Sequence, residues 1–422
     1  MMKPKISAAR TACLKTMAIR LRSACALAVL LLGLPLAVEA QFDYTHNNGA
    51  ITITGYTGEG GAVRVPGTID GLPVTGIGRD AFSFTVRGNM PVFVADRPTS
   101  VTIPDSLTII GDGAFRRCRR LTNVTIGQGV NSIGHDAFRE CTSLTSITIP
   151  DSVTNIGTWA FSGCTNLTKA AISNRITHIG DEAFSGCRMT SVTIPDSVTS
   201  IGSRAFACCG TTGVTIGNRV ISIGREAFAF CGCITNVIIP GTAVSIGNGA
   251  FFSCHGLRRV DIPSSVRSIG DSAFFGCTNL ANVAIGNGVT NIGRQAFFGS
   301  KLANITIPDS VVSIGRWAFL DSRRLSRVNI GNSVTIIGAE AFAGCSLTSV
   351  TVPSSVTVIE DRAFLHNTNL KSIYFNGNAP RIGKGVFARD DDVTVYHLPG
   401  TTGWGSTFAG HPTALDPRSL AH

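Results

Sequence analysis

Charge is scarce in this 422-residue chain: Asp, Glu, Lys and Arg make up 15% of it, and nowhere do Lys and Arg gather into the cluster that a nucleic-acid footprint requires. Aromatic residues are few, at 7%, with three Trp and four Tyr. The eight histidines are scattered and none belongs to a His-Glu-x-x-His pattern, so the usual zinc-hydrolase spacing is missing. No Gly-x-Ser-x-Gly elbow presents a serine nucleophile. The Gly-x-Gly pairs at Gly127/Gly129 and Gly286/Gly288 fall in turns of a repeat instead of opening a long helix, which argues against a dinucleotide site. Long apolar runs are limited to one, Ala24 to Leu36, short of the roughly 20 residues of a membrane span. These absences predict a non-enzyme with no cofactor, no metal, no nucleic-acid partner and no membrane span in the mature chain.

That single apolar run follows Lys3, Lys5, Arg10, Lys15, Arg20 and Arg22, and Val38-Glu39-Ala40 offers small residues at cleavage positions. Residues 1–40 therefore read as a secretory signal peptide cut after Ala40, with a membrane anchor as the alternative. The segment carries half of the chain's net charge of +10. What remains is weakly charged and is expected outside the cell, secreted or associated with a surface.

What the chain does have is repetition. The stretch Leu144 to Asn166, LTSITIPDSVTNIGTWAFSGCTN, returns with small edits, and its marker is an Ala-Phe pair whose twelve phenylalanines, Phe115 to Phe364, stand 22 or 23 residues apart. A period in that range marks a solenoid in which each copy is one structural turn and only the stack buries both sides of it. The Leu-x-x-Val-x-Ile segment, as in Leu121 to Ile126, alternates apolar and polar residues and reads as a strand with one buried face, stacking in parallel at about 4.8 Å per turn. Pro-Asp-Ser or Gly-Asn/Gln turns follow, at Pro150, Pro195 and Pro308 or Gly127, Gly217, Gly286 and Gly331. Val153 and Ile156 then point inward, and Gly157 takes a backbone geometry that a side chain would hinder. Asp112, Asp181, Ser203 and Asp271, each just after such a Gly, look like N-caps of a single helical turn closed by Gly163 or its equivalents.

Residues 41–100 read as an N-terminal cap. Asn47-Asn48-Gly49 before the alternating Ile51 to Thr54 signals a hairpin, Arg79 to Phe82 is a degenerate first repeat, and about ten extra residues lie within Ser83 to Thr99. That insertion reads either as packing on the cap or as a projecting binding loop. The array occupies 101–375. Residues 376–422 read as a C-terminal cap and short tail, with Val386, Phe387, Val393, Val395, Tyr396 and Trp404 as its apolar set.

The motif LTSITIPDSVTNIGTWAFSGC, with its repeated I-G-x-x-A-F-x-x-C spacing, resembles the BspA-like leucine-rich repeats of bacterial surface and secreted proteins, over about Val74 to Phe387. The resemblance implies a leucine-rich-repeat solenoid of about 12 regular repeats with degenerate ends. Its parallel β-sheet would lie on the concave face, with short turns or single helical turns on the convex face. It also implies adhesion or recognition, and the tail from Val393 onward is similar to the family's C-terminal cap.

Nine cysteines, Cys118 to Cys277 and Cys345, sit three residues after a repeat phenylalanine, near enough between turns for disulfides. Ser300, Ser322 and Asn367 fill the same slot, which favours a small buried residue with a weak bond to loop backbone. Cys208 and Cys233 fall outside that ladder and could pair locally with Cys209 and Cys231. Asp390-Asp391-Asp392 lacks the alternation of a calcium loop and reads as an exposed acidic turn.

Binding candidates are the outward side chains of the strand. Thr125, Thr148 and Thr306 stand in one column; Asn123, Ser146, Asn236, Asn282 and Asn304 in the next; Arg258, Arg259, Asp261, Arg327 and Tyr374 interrupt them. A hydroxyl and amide face of this kind suits a protein or glycan ligand, and equally a face that is merely solvated. The competing class is a structural exoprotein or spacer that self-associates, with exposed Trp159 and Trp317 as its contacts.

Overall fold

Alternation in Asn123-Val124-Thr125 leaves one side chain of three facing inward, and the strand it forms is three residues long with only Val124 buried. Each coil pairs such a strand with a second, two-residue strand ending in the buried Ile of Ile-Gly, as in Ser132–Ile133 and Asn155–Ile156. The computed structural model describes residues 41–87, 90–93 and 98–419, so the expected signal segment 1–40 and residues 420–422 lie outside it. Strands of both sets pair in parallel, Val192 on Val214 in one and Ile133 on Ile156 in the other, the first set falling into four separate sheets along the stack. The second ladder, continuous from Ile109–Ile110 to Arg381–Ile382, was not expected as a sheet, because two residues per copy give no readable alternation.

Between those strands the core is a column of rings. Fourteen phenylalanines, Phe82 to Phe387, stack with centroids 4.5–5.8 Å apart and planes within 27°. Tyr56 continues it at 5.0 Å and Phe42 packs against Tyr56. Repeat geometry thus extends through Phe387, inside the segment read as a cap. Beyond it Trp404 and Phe408 lie against Phe375, at 5.0 and 5.5 Å. At the other end Phe42–Asn47 and Ala50–Tyr56 form the expected hairpin, with Asn48 and Gly49 both at positive φ as a type I′ turn demands. The extra residues near position 90 form a second hairpin, Phe84–Arg87 against Met90–Phe93.

The Ala-Phe segment is built of short turns; the helical turn is not formed. Ala160, Ser162 and Cys164 donate N–H to carbonyls three residues back, whereas Trp159, Phe161 and Gly163 donate to Asp181, Ala183 and Ser185 of the next coil at 2.8–2.9 Å. Half of the N–H groups are thus spent between coils, and Trp159 sits at φ 58°, outside any right-handed helix. The residue expected as an N-cap works between coils too: the Asp112 Oδ1 accepts His135 N–H at 2.9 Å and the Asp181 Oδ1 accepts Ser203 N–H at 2.6 Å.

Glycine after Ile is required by proximity, not by φ. A Cβ on Gly157 would fall 2.6 Å from the Gly134 carbonyl carbon. Turn chemistry follows the same logic. Gly127, Gly217 and Gly331 each lie against the Pro of the preceding coil, a Cβ there meeting the Pro104, Pro195 or Pro308 oxygen at 2.3 Å. The Asp after each of those prolines accepts the N–H after the Gly at 2.7 Å. Gly217→Ala is therefore expected to destabilise by about 1–3 kcal/mol, read as a lower denaturant midpoint at unchanged strand signal in circular dichroism.

The cysteine slot is a donor slot. All nine of its thiols are unpaired and buried, and each donates to a phenylalanine carbonyl of an earlier coil, as Cys141 does to Phe115 at 3.1 Å and Cys254 to Phe228 at 3.1 Å. Ser322 and Asn367 make the same bond, to Phe297 and Phe342. Burial pushes the Cys277 thiol up to about 12, so it stays protonated and able to donate. Cys208 and Cys233, outside the slot, are exposed and unpaired.

Asp390 occupies this slot in the last coil. It is 1% exposed and neither carboxylate oxygen has a hydrogen-bond partner, so of the three acidic residues only Asp391 and Asp392 form the expected exposed turn. Burial, with Asp391 adding to it, pushes the Asp390 carboxyl up to about 7. The folded chain then holds a proton that the unfolded chain, with its ordinary value near 3.8, releases first. The contribution of this group to stability is full below about pH 4, falls as pH rises to about 7 and is flat above, a loss on the order of 4 kcal/mol. Asp390→Asn, which supplies the donor that Asn367 supplies one coil earlier, is expected to abolish this slope. Thermal midpoints of the two proteins should agree near pH 4 and diverge by pH 8, the variant higher.

Candidate functional site

The strand face repeats from coil to coil, and the ladder register builds it. Ser191, Gly213, Asn236, Arg259 and Asn282 align in successive coils, as do Asn304 with Arg327 and Ser146 with Lys169. In the neighbouring column Thr125 stands on Thr102, Thr148 beside Ala171, and Thr306, Asn329, Thr351 and Tyr374 follow one another. Asn123, Thr125, Ser146, Thr148, Asn236, Asn282, Asn304 and Thr306 are all exposed, while the residue between each pair packs inward or is half-buried.

The charged interruptions differ in what they can offer a ligand. Arg258, Arg259, Asp261 and Arg327 are exposed. Arg259 and Asp261, two residues apart on one strand and so on one face, bind each other, Nη2 to Oδ2 at 2.9 Å and Nε to both oxygens at 3.2 Å. That bond is the main reason the Arg259 guanidinium holds its proton more tightly than usual. Arg327 borders a depression of about 330 Å³ with Asn329, Ser349, Thr351 and Asn376. Tyr374 is half-buried: its ring stacks on Tyr396 at 5.0 Å, and the Arg418 guanidinium lies 3.7 Å from its centroid. Arg418 in turn holds buried Asp416 through Nε and Nη2, which keeps the Asp416 carboxyl below the usual carboxylate range. Tyr374 therefore joins the C-terminal closure instead of the open ladder.

One residue of the face escaped sequence reasoning. Ile238 occupies the threonine column between Thr215 and Asp261 and is 72% exposed, beside a second depression of about 320 Å³ lined by Asn236, Arg259 and Asp261. Its signal was present, as the one large aliphatic in a column otherwise of Thr, Ala, Asp, Asn and Tyr. It was hidden because Asn-Val-Ile-Ile reads as ordinary strand sequence.

Among the described residues no group of three His, Cys, Asp or Glu is placed to hold a metal ion, and no helix is long and apolar enough to cross a membrane. Of the two tryptophans, Trp159 is 37% exposed with the Arg139 guanidinium 5.3 Å from its ring. Trp317 is half-buried between Arg294 and Arg316, at 4.3 and 4.0 Å.

No curated protein matches the chain. Among solved structures it is similar to a leucine-rich repeat protein from Bacteroides ovatus ATCC 8483, 25% identical over 84% of this chain and 93% of that one, with a TM-score of 0.60. It shares its fold with the pneumococcal vaccine antigen PcpA, 19% identical over 89% of this chain and 97% of that one, with a TM-score of 0.52. The model of the BspA type leucine rich repeat region, six copies long, matches residues 90–212, 199–324 and 290–403. With matches covering well over half of its length, the chain belongs to the BspA-type leucine-rich-repeat family.

Proposed function

We propose that this protein is an exported, non-catalytic recognition or adhesion module that holds a protein or glycan ligand along its strand face. One observation carries the reading: exposed hydroxyl and amide side chains stand in register over many coils, with the depressions at Ile238 and Arg327 set into them. A rigid ladder of donors and acceptors loses little entropy when a ligand binds, so many weak hydrogen bonds can sum along an extended partner. Export rests on the basic and apolar pattern of residues 1–40. The structural alternative draws less support, since Trp317 is half-buried with the Arg294 and Arg316 guanidiniums 4.3 and 4.0 Å from its ring centroid.

Protein and glycan arrays probed with the purified chain test the proposal. Saturable binding is expected, weakened at least 10-fold when Ile238→Ser and Arg327→Ala are combined, with an unchanged thermal midpoint. Full retention of binding in a variant that also replaces Arg259 and Asp261 would remove the strand face from consideration. Concentration-dependent self-association with no array signal would favour the spacer reading.

A further inference from the structure

On the turn side of the solenoid, away from the strand face, the residue following the core phenylalanine is small or polar in most coils. In three consecutive coils it is Phe252, Phe275 and Phe298. Phe252 and Phe275 stack at 4.8 Å with planes 2° apart, and Phe275 and Phe298 at 4.6 Å and 12°. Phe230, displaced by one residue in the coil before, meets Phe252 edge-on at 5.3 Å and 63° and is 50% exposed. The four rings form a strip parallel to the solenoid axis. None of them belongs to the buried core column.

The geometry points to an interaction surface, and we infer that the strip receives one amphipathic helix of a partner protein, lying along the solenoid axis. Three observations select that occupant. First, Phe252, Phe275 and Phe298 spend their faces on one another, and only Phe230, at 63° to Phe252, keeps a face open. A glycan platform needs several open ring faces in a row, whereas stacked rings offer edges that pack against aliphatic side chains. Second, the open apolar area is roughly 200–300 Å², given the 150–250 Å² that each aromatic side chain carries. That is well below the ~800 Å² per partner of a stable protein–protein interface, so a second copy of this chain docked on the strip alone gains too little. A single helix laying one stripe of side chains on it is the better match in size. Third, the ring spacing of 4.6–5.3 Å is close to the ~5.4 Å pitch of an α-helix, so apolar residues at i, i+3 or i+4, and i+7 fall between successive rings.

A notch of about 430 Å³ beside the strip is lined by Phe230, Phe252 and Gly249 together with Arg225, Glu226 and Asp271. It has room for one large apolar anchor. Glu226 is engaged by Arg204 and Arg225, whereas Asp271, whose Oδ1 accepts the Arg294 N–H at 2.8 Å, is exposed beside the notch and has no ion pair among the described residues, which favours a basic residue next to the anchor on the incoming helix.

The test is a displayed library of peptides about 18 residues long, patterned as amphipathic helices with varied apolar faces, selected on the purified chain. Enriched peptides are then measured by fluorescence anisotropy against the wild type, Phe252→Ser/Phe275→Ser and Phe230→Ser/Phe298→Ser. The expected result is a helix-patterned set with one large apolar anchor, binding saturably and weakened at least 10-fold by each pair of substitutions. Phe252, Phe275 and Phe298 are half-buried, so thermal midpoints should fall modestly, while the strand signal in circular dichroism stays unchanged because the core column is untouched. Binding should also survive the strand-face substitutions, which separates this surface from the proposed ligand face. Failure to enrich helix-patterned peptides, or enriched peptides that bind both variants as well as the wild type, overturns the inference. So does a wild-type dimer in sedimentation velocity that the substitutions dissolve, because the occupant is then a second copy.

Discussion

Everything in this molecule depends on coils approaching to about 5 Å and staying there. The phenylalanine column fixes that spacing from inside, ring on ring. Backbone bonds fix it from outside: two strand ladders and a third set of N–H to carbonyl bonds through the turns. Three sides are therefore tied at once, and a change on one side is resisted by the other two. This explains why residues of unrelated chemistry obey the same rule. Glycine is used after Ile because a Cβ would strike the neighbouring coil, and Asp is used in the turns because its carboxylate reaches the next coil's N–H.

Much of this was legible before any coordinates. The 22–23 residue period named the coil, the alternation around Val124 named the strand, and Asn48-Gly49 named the hairpin. The second ladder was not legible, since two residues carry no period. The turns that replaced the expected helical turn were not legible either, because Gly-Asp-x-Ala-Phe satisfies local helix-start rules and only the neighbouring coil's carbonyls decide otherwise. Asp390 shows the same limit. As one of three acids in a row it read as a solvated turn, and only its distance from Phe387 places it in the donor slot.

The candidate surfaces divide along the same line. The Asn and Thr columns are a property of the repeat and could be written down from it. Departures from the repeat carry most of what is particular to this protein: Ile238 in a threonine column, Phe252 to Phe298 where other coils are mostly small or polar, Arg259 closed onto Asp261. A repeat hides such departures, because its regularity draws the reader to what is shared. Their meaning emerges when register aligns them, since residues 22 or 23 apart in sequence become touching neighbours.

The pairing of turns bears on how such an array grows. Gly127, Gly217 and Gly331 each follow a coil with a Pro turn, and the residue after each donates its N–H to the Asp carboxylate of that coil. At these points the unit of inheritance is two coils, not one. An unequal exchange that duplicates a Pro–Gly pair inserts a self-consistent segment of about 45 residues, two copies of the repeat. One that duplicates the Gly coil alone places it behind a neighbour without that carboxylate, the situation of Gly286 behind Ser264, and gives up one bond between coils. Lengthening by pairs thus keeps every turn bond, whereas lengthening by singles loses one.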